Sequence, residues 1–295
     1  MLWGDFELHA LVATRMKFDG GLVFGVVPKV VWSRLKPADD LNLVEMACVG
    51  MIARHRGKVI ICETGIGAKL DEKRARQVLL REPEGMLAGL ARLGIRPDEV
   101  DVVLSTHLHW DHAGGFTRLS PGGGVAVTFP KAKHFVQKQE WDFALDCDPR
   151  SKAAYLVDDF VPVADAGLVE FVDGDAEILP GVELRFTGGH TPGNQVVVFR
   201  NGDLACAMTG DLIGCKPHLR RAWNSGGDLD VVRALEEKGR LLDDAVRHRW
   251  LLLLGHESDG PAGYLEADGS FTPEVELNLE VGGESDGTTA AAVSP

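Results

Sequence analysis

The chain has 295 residues, 45% of them hydrophobic and 25% charged, with a formal net charge of −13. This is the balance of a globular protein able to bury a sizeable core. The acidic residues are spread along the chain, which argues against a nucleic-acid partner, since phosphate binding draws on clustered Lys and Arg, and it lends no support to an anionic membrane surface.

The amino terminus is broken by Asp5, Glu7 and His9, so no secretory core segment is read there, and no stretch approaches a membrane span. Residues from about Phe6 to Thr14 predict a strand, which Asp19-Gly20-Gly21 ends in a loop. From Met46 an apolar run to Ala53, a polar turn at Arg54 to Lys58 and a buried run Val59 to Cys62 predict a hairpin. Glu63 to Gly67 makes a glycine-rich turn.

Asp71 to Leu93 has helical spacing, divided by Pro83. Val102 to Ser105 is a short buried strand that stops at Thr106. Further strands are predicted near Lys133 to Val136, Val169 to Val172, Val182 to Thr187, Gln195 to Phe199, Leu204 to Thr209 and Trp250 to Leu254, with a long helix from Leu229 to Arg247. Two groups of strands, each followed by helices, suggest an α/β fold of two face-to-face sheets with helices outside. We expect one domain over residues 1–281 and a disordered tail over 282–295, where periodicity ceases. The five cysteines, Cys48, Cys62, Cys147, Cys206 and Cys215, show no CxxC spacing, so neither a disulfide framework nor a zinc ribbon is indicated and a reducing cytoplasm is the expected location.

The strongest chemical signal is Thr106-His107-Leu108-His109-Trp110-Asp111-His112-Ala113-Gly114-Gly115, directly after a buried strand. Imidazole nitrogen and carboxylate oxygen suit zinc, and a loop leaving a strand can turn alternate side chains toward one point. Three later segments also follow strands: Gly188-Gly189-His190-Thr191-Pro192-Gly193, Thr209-Gly210-Asp211 and Leu254-Gly255-His256. Strand ends are where α/β proteins gather their binding loops. Taken alone, His9, His55, His134 and His248 are ordinary surface or core histidines; the ordered set of motifs is what carries specificity.

This set resembles the metallo-β-lactamase-fold hydrolases over most of the chain, up to about residue 265. The resemblance implies a four-layer αβ/βα sandwich with two divalent metal ions, zinc foremost, at its edge. It implies that His107, His109 and His190 hold the first metal, that Asp111, His112 and His256 hold the second, and that Asp211 bridges them. Asp19-Gly20-Gly21, Phe24-Gly25-Val26-Val27-Pro28-Lys29 with Trp32, and Asp211-Leu212-Ile213 with His218, Trp223 and Asp228-Leu229-Asp230 are similar to the YtnP-like quorum-quenching N-acyl-homoserine lactonases and to the methyl-parathion-hydrolase group. Three departures stand out: Glu63 where the family has the aspartate of a DTG, Asn194 in place of the last histidine of GHTPGH, and Gly214 where better-known lactonases have a tyrosine that assists at the substrate carbonyl.

The resemblance implies a lactonase that opens N-acyl-homoserine lactones by attack of a metal-bridging hydroxide, with Asp211 passing the proton to the leaving oxygen and Asp111 acting as a ligand. Phe24, Val26, Val27, Trp32 and Trp223 are candidates for an acyl-chain groove, with core packing the equal alternative, and His218 for a substrate contact. The alternatives are an esterase or phosphotriesterase on the same metals, a mononuclear iron persulfide dioxygenase, and a noncatalytic metal-binding module. The implied partner is a small lactone or ester, and the family suggests a homodimer.

Overall fold

In a strand, successive side chains point to opposite faces of the sheet, so a strand covered on both sides is apolar at every position. Val196 to Phe199 shows this: Val197 and Phe199 enter one apolar cluster, and Val196 and Val198 enter another. The computed structural model describes residues 1–81, 85–277 and 279. The segment 282–295, expected to be a tail, and Pro83, expected to divide a helix, lie outside the described residues.

One sheet contains β1 (Leu2–Trp3), β2 (Phe6–Asp19), β3 (Leu43–His55), β4 (Lys58–Cys62) and β5 (Val102–Leu104). After β5, β6 (Thr117–Leu119) and β7 (Val125–Val127) pair only with each other, and β8 (Lys133–Gln137) and β9 (Val169–Val172) complete the first sheet in the order β1-β2-β3-β4-β5-β8-β9. The other sheet holds β10 (Ala176–Leu179), β11 (Val182–Phe186), β12 (Gln195–Asn201), β13 (Leu204–Met208), β14 (Leu251–Leu253), β15 (Ala262–Leu265) and β16 (Phe271–Pro273), side by side in chain order.

The sheets pack face to face. Leu8, Val49, Met51, Ile60 and Leu104 of the first meet Leu184, Val197, Phe199, Met208 and Leu253 of the second in one buried cluster. The outer face of the first sheet, with Ile52, Ile61 and Val103, is covered by Met86 and Leu90 of the helix Gly85–Arg92 and by Phe160 and Val163 of the helix Val157–Asp165. The outer face of the second is covered by Leu241, Leu242 and Ala245 of the helix Val231–His248. This is the expected four-layer sandwich.

Local sequence explains most element ends. Asp230 caps the helix Val231–His248 by accepting from Arg233 N, and Arg249 in the left-handed region closes it after a basic last turn. The strand expected to end near Thr14 runs on to Asp19, because all of its later residues find partners in β3. Asp19-Gly20-Gly21, expected as a loop, instead starts the short helix Gly20–Phe24, with Asp19 Oδ1 accepting from Gly21 N at 2.7 Å. The helical stretch Asp71 to Leu93, expected in two pieces, holds the two helices Glu72–Gln77 and Gly85–Arg92.

Strands β5, β11, β13 and β14 end at one edge of the sandwich. There the sheets are stitched by backbone bonds from Val49 N to Gly255 O (3.0 Å), Ala47 N to His256 O (3.2 Å) and Gln195 N to Thr106 O (2.9 Å). Among the described residues no helix is long and apolar enough to cross a membrane.

Candidate metal centre

Four strand ends deliver the histidines and aspartates singled out above. His107 to His112 follow β5, His190 sits in the β11–β12 connection, Asp211 follows β13 and His256 follows β14. Two glycines permit the close approach. A Cβ on Gly189, at φ +85°, would lie 2.6 Å from the backbone nitrogen of Ala234, and one on Gly210, at φ +50°, would lie 2.3 Å from Thr106 Oγ1.

The donor atoms form two overlapping groups. Those of His107, His109, His190 and Asp211 all lie within 4.8 Å of one another, and so do those of His112, Asp211 and His256. Asp211 belongs to both: Oδ2 lies 3.0 Å from His190 Nε2, while Oδ1 lies 2.7 Å from His256 Nε2 and 3.2 Å from His112 Nε2. Asp111 Oδ2 stands 3.7 Å from His256 Nε2 and 3.8 Å from His112 Nε2. Thus all seven residues converge on one place.

Four of the rings are anchored through the nitrogen that faces away. His107 Nδ1 meets Thr106 Oγ1 at 3.0 Å, His112 Nδ1 meets Glu63 Oε2 at 2.7 Å, His190 Nδ1 meets Asp228 Oδ1 at 2.8 Å, and His256 Nδ1 meets Ala47 O at 2.7 Å. A proton on each Nδ1 leaves Nε2 as the lone-pair nitrogen, which is the tautomer a metal needs. The inward nitrogens crowd one another, with His112 Nε2 3.2 Å from His256 Nε2 and His109 Nδ1 3.3 Å from His190 Nε2. His107 Nε2 is buried without a hydrogen-bond partner. Facing lone pairs and an orphaned buried nitrogen are satisfied together by cations, so this donor set fits metal ions.

The electrostatics point the same way. Burial, with neighbouring imidazoles, pushes His107 and His109 well below the usual histidine range. Burial also opposes charge on His190, but Asp211 and Asp228 lift it to about 10. Burial pushes the Asp211 carboxyl up, yet His256, His190 and His112 outweigh this and hold it well below the usual carboxylate range. The buried acids thus call for positive charge in the middle of the site.

Residues 45–256 match the model of the metallo-beta-lactamase superfamily. The chain belongs to that superfamily. Within it, the chain is 33% identical over 179 residues to the N-acyl homoserine lactonase AiiA of Bacillus thuringiensis subsp. kurstaki, a match covering 60% of this chain and 64% of that one. A Bacillus cereus N-acyl homoserine lactonase is 26% identical over 185 residues and is matched over 66% of its length, so the chain spans somewhat less than two thirds of these relatives.

Among solved structures, a probable metal-dependent hydrolase from Staphylococcus aureus superposes with a TM-score of 0.86 at 26% identity, over 93% of this chain and 99% of that one. The dizinc quorum-quenching lactonase AidC, in complex with its product, shares the fold at a TM-score of 0.75 and 21% identity, over 93% and 96% of the two chains.

A cavity of about 290 Å³ opens on this superfamily centre, walled by Phe18, Leu22, Val23, Met46 and Trp110 beside the histidines and aspartates. Of the residues expected to bind substrate, only His218 lines it. Phe24 and Trp32 are buried and stack on each other with ring centroids 4.7 Å apart, and Trp223 packs edge-on to Phe24 at 6.1 Å. Val27 packs half-buried against the same cluster, and Val26 is 93% exposed. The reason is the helix Gly20–Phe24, which turns Leu22 and Val23 to the cavity and Phe24 into the core.

Three further residues support the donors, and of these Asp228 and Glu140 were not singled out for these roles. Glu63, one methylene longer than the aspartate of the family's turn, reaches His112 Nδ1 and, through Oε1, Thr106 N at 2.6 Å. Asp228 holds His190 and is itself held by Asn224 Nδ2 at 3.0 Å. Buried Glu140 accepts from Leu108 N, Tyr155 Oη, Thr191 Oγ1 and Gly193 N. Each lies far from its partner in sequence, so no local spacing marks it. Buried Cys48 also places its thiol within 4.8 Å of the donor atoms of Asp111 and His256.

Proposed function

We propose that the chain is a dinuclear metal-dependent hydrolase that opens the lactone ring of N-acyl homoserine lactones. The observation that carries this reading is the pair of donor groups that share Asp211 beside an apolar-walled cavity. On this reading His107, His109 and His190 hold one divalent ion, Asp111, His112 and His256 the other, and Asp211 both, with zinc the metal that best suits these donors. The lactonase activity of AiiA and AidC supports the substrate class.

When bound, such a pair of ions makes hydroxide available near neutral pH and polarises the scissile carbonyl. The chain supplies the rest. Asp211 turns one oxygen to each donor group, so it is the carboxylate placed to take a proton from the attacking water and return it to the ring oxygen that leaves as an alcohol. The anchored imidazoles keep their inward nitrogens fixed while this happens. Phe18, Met46 and Trp110 offer apolar surface to an acyl chain.

The test is a substrate panel of acyl-homoserine lactones, simple esters and aryl phosphotriesters with metal-loaded protein, alongside its metal content. Ring opening with two zinc-like ions per chain is expected. Turnover of esters or triesters with no lactone opened would remove the lactonase reading, and a single iron with oxygen uptake would replace hydrolysis by oxygenation.

A further inference from the structure

His218 faces the cavity with one nitrogen whose role is set by the other. Its Nε2 lies 2.8 Å from the carbonyl oxygen of Val23. A carbonyl can only accept, so Nε2 carries the proton, and in the neutral ring Nδ1 is left with a lone pair. Burial, with the Lys238 charge, lowers the ring to about 4, so the neutral form holds through the physiological range.

Nδ1 looks toward the space left by Gly214. A Cβ on that glycine would sit 3.5 Å from His218 Nδ1 and 3.5 Å from His256 Cδ2, so the two rings border one wedge of the cavity. Among the described residues no donor pairs with Nδ1. At this place, with no side chain on Gly214 to donate, the chain presents an acceptor. An acceptor repels the oxygen of a carbonyl or phosphoryl group and is satisfied only by a ligand that brings an N–H or O–H.

We propose that His218 Nδ1 accepts a hydrogen bond from the substrate's N–H, and so makes the site selective for lactones with an amide N–H on the carbon next to the scissile carbonyl. The inference rests on the lactonase reading above. An N-acyl homoserine lactone carries such a donor two bonds from the carbonyl carbon; plain lactones, simple esters and phosphotriesters lack it. Discrimination of this kind is strong when a buried polar group of the site would otherwise be left unpaired.

The experiment compares N-hexanoyl-homoserine lactone with the analogue in which the amide N–H is replaced by oxygen, an α-hexanoyloxy lactone of the same shape, using the metal-loaded full chain. Wild-type protein is expected to favour the amide by about tenfold to a hundredfold in kcat/KM. His218→Phe should bring the two substrates to within about threefold of each other, and His218→Gln, which retains a donor for Val23 and an acceptor for the cavity, should restore part of the preference. Equal turnover of the pair by wild type, or equal losses on both substrates in His218→Phe, would overturn the inference while leaving the lactonase reading intact; no opening of either lactone would end both. Should His218→Phe not fold, imidazole-nitrogen NMR of wild type decides: the His218 Nδ1 signal should move on adding N-hexanoyl-homoserine and stay in place with its oxygen analogue, and any other pattern overturns the inference.

Discussion

Glu63 Oε2 lies 2.7 Å from His112 Nδ1, and both side chains are buried. The same carboxylate takes Thr106 N through Oε1, so one residue at the end of β4 sets both the ring and the start of the loop that carries it. Glu63 is held in the left-handed region at φ +62°, which a non-glycine residue adopts only when its surroundings require it. Glu63→Gln keeps the size and removes the charge, turning an amide donor toward groups that themselves donate. Metal affinity should fall by about tenfold to a hundredfold with the fold retained, read by competition with a chelator. Unchanged affinity would show that the carboxylate does not orient His112.

His109 is the histidine of the centre whose ring is not tied to the protein through a second nitrogen among the described residues. Its Nδ1 faces His190 Nε2 at 3.3 Å, and its ring packs edge-on to Tyr155 at 4.8 Å. His109→Ala removes a donor without disturbing an anchor. Metal should be lost from one half of the centre and activity should drop to background, measured as metal per chain and turnover in the same preparation. Full metal stoichiometry in this variant would count against His109 as a ligand.

The two-layer strand pattern and the ordered motifs made the sandwich and the converging residues legible in advance, because strand periodicity and strand-end loops are local features. What could not be read were distances through space. Asp228 is 38 residues from His190 and Glu140 is 32 from Leu108, and neither pairing leaves a mark in the intervening sequence. The apolar segment after Asp19 misled for a related reason. Hydrophobicity marks Phe24 and Trp32 as buried, but only the helical turn at Gly20–Phe24 decides that they face the core and not the cavity. The short strands β10, β15 and β16 were also missed, since so few residues show no clear alternation.

His134 predicts an acid weakness away from the metal centre. It is buried against Phe116, with ring centroids 4.9 Å apart, its Nδ1 meets Ala132 O at 3.2 Å, and its Nε2 has no partner. Burial lowers the ring from 6.5 to about 4, against the nearby backbone carbonyls of Ala132 and Leu168, which favour the charged form. On acidification the unfolded chain binds this proton first. The stability is therefore present above about 6.5 and is lost as pH falls toward about 4. The loss should reach about 2 kcal/mol near roughly pH 5. Denaturant unfolding of wild type and His134→Gln at neutral and acidic pH isolates this contribution, and parallel pH dependences for the two proteins would refute it.

Glu140 ties together the segments that carry three of the proposed ligands. Oε1 accepts from Leu108 N and Tyr155 Oη, each at 3.0 Å, and Oε2 accepts from Thr191 Oγ1 at 2.6 Å and Gly193 N at 3.2 Å. Leu108 lies between His107 and His109, and Thr191 follows His190. Burial pushes the Glu140 carboxyl up, and these donors work against that shift. Glu140→Ala would strand two backbone N–H groups and two hydroxyls in a dry interior, where each unsatisfied group costs about 1–3 kcal/mol. Partial relaxation lowers the sum, so a destabilisation of about 3 kcal/mol or more is expected in denaturant unfolding. Glu140→Gln, which retains one acceptor oxygen and places an amide against the donors on the other side, should fall between Ala and wild type. A Glu140→Ala variant within about 1 kcal/mol of wild type would mean that the two loops hold their own geometry and that the carboxylate merely fills the space between them.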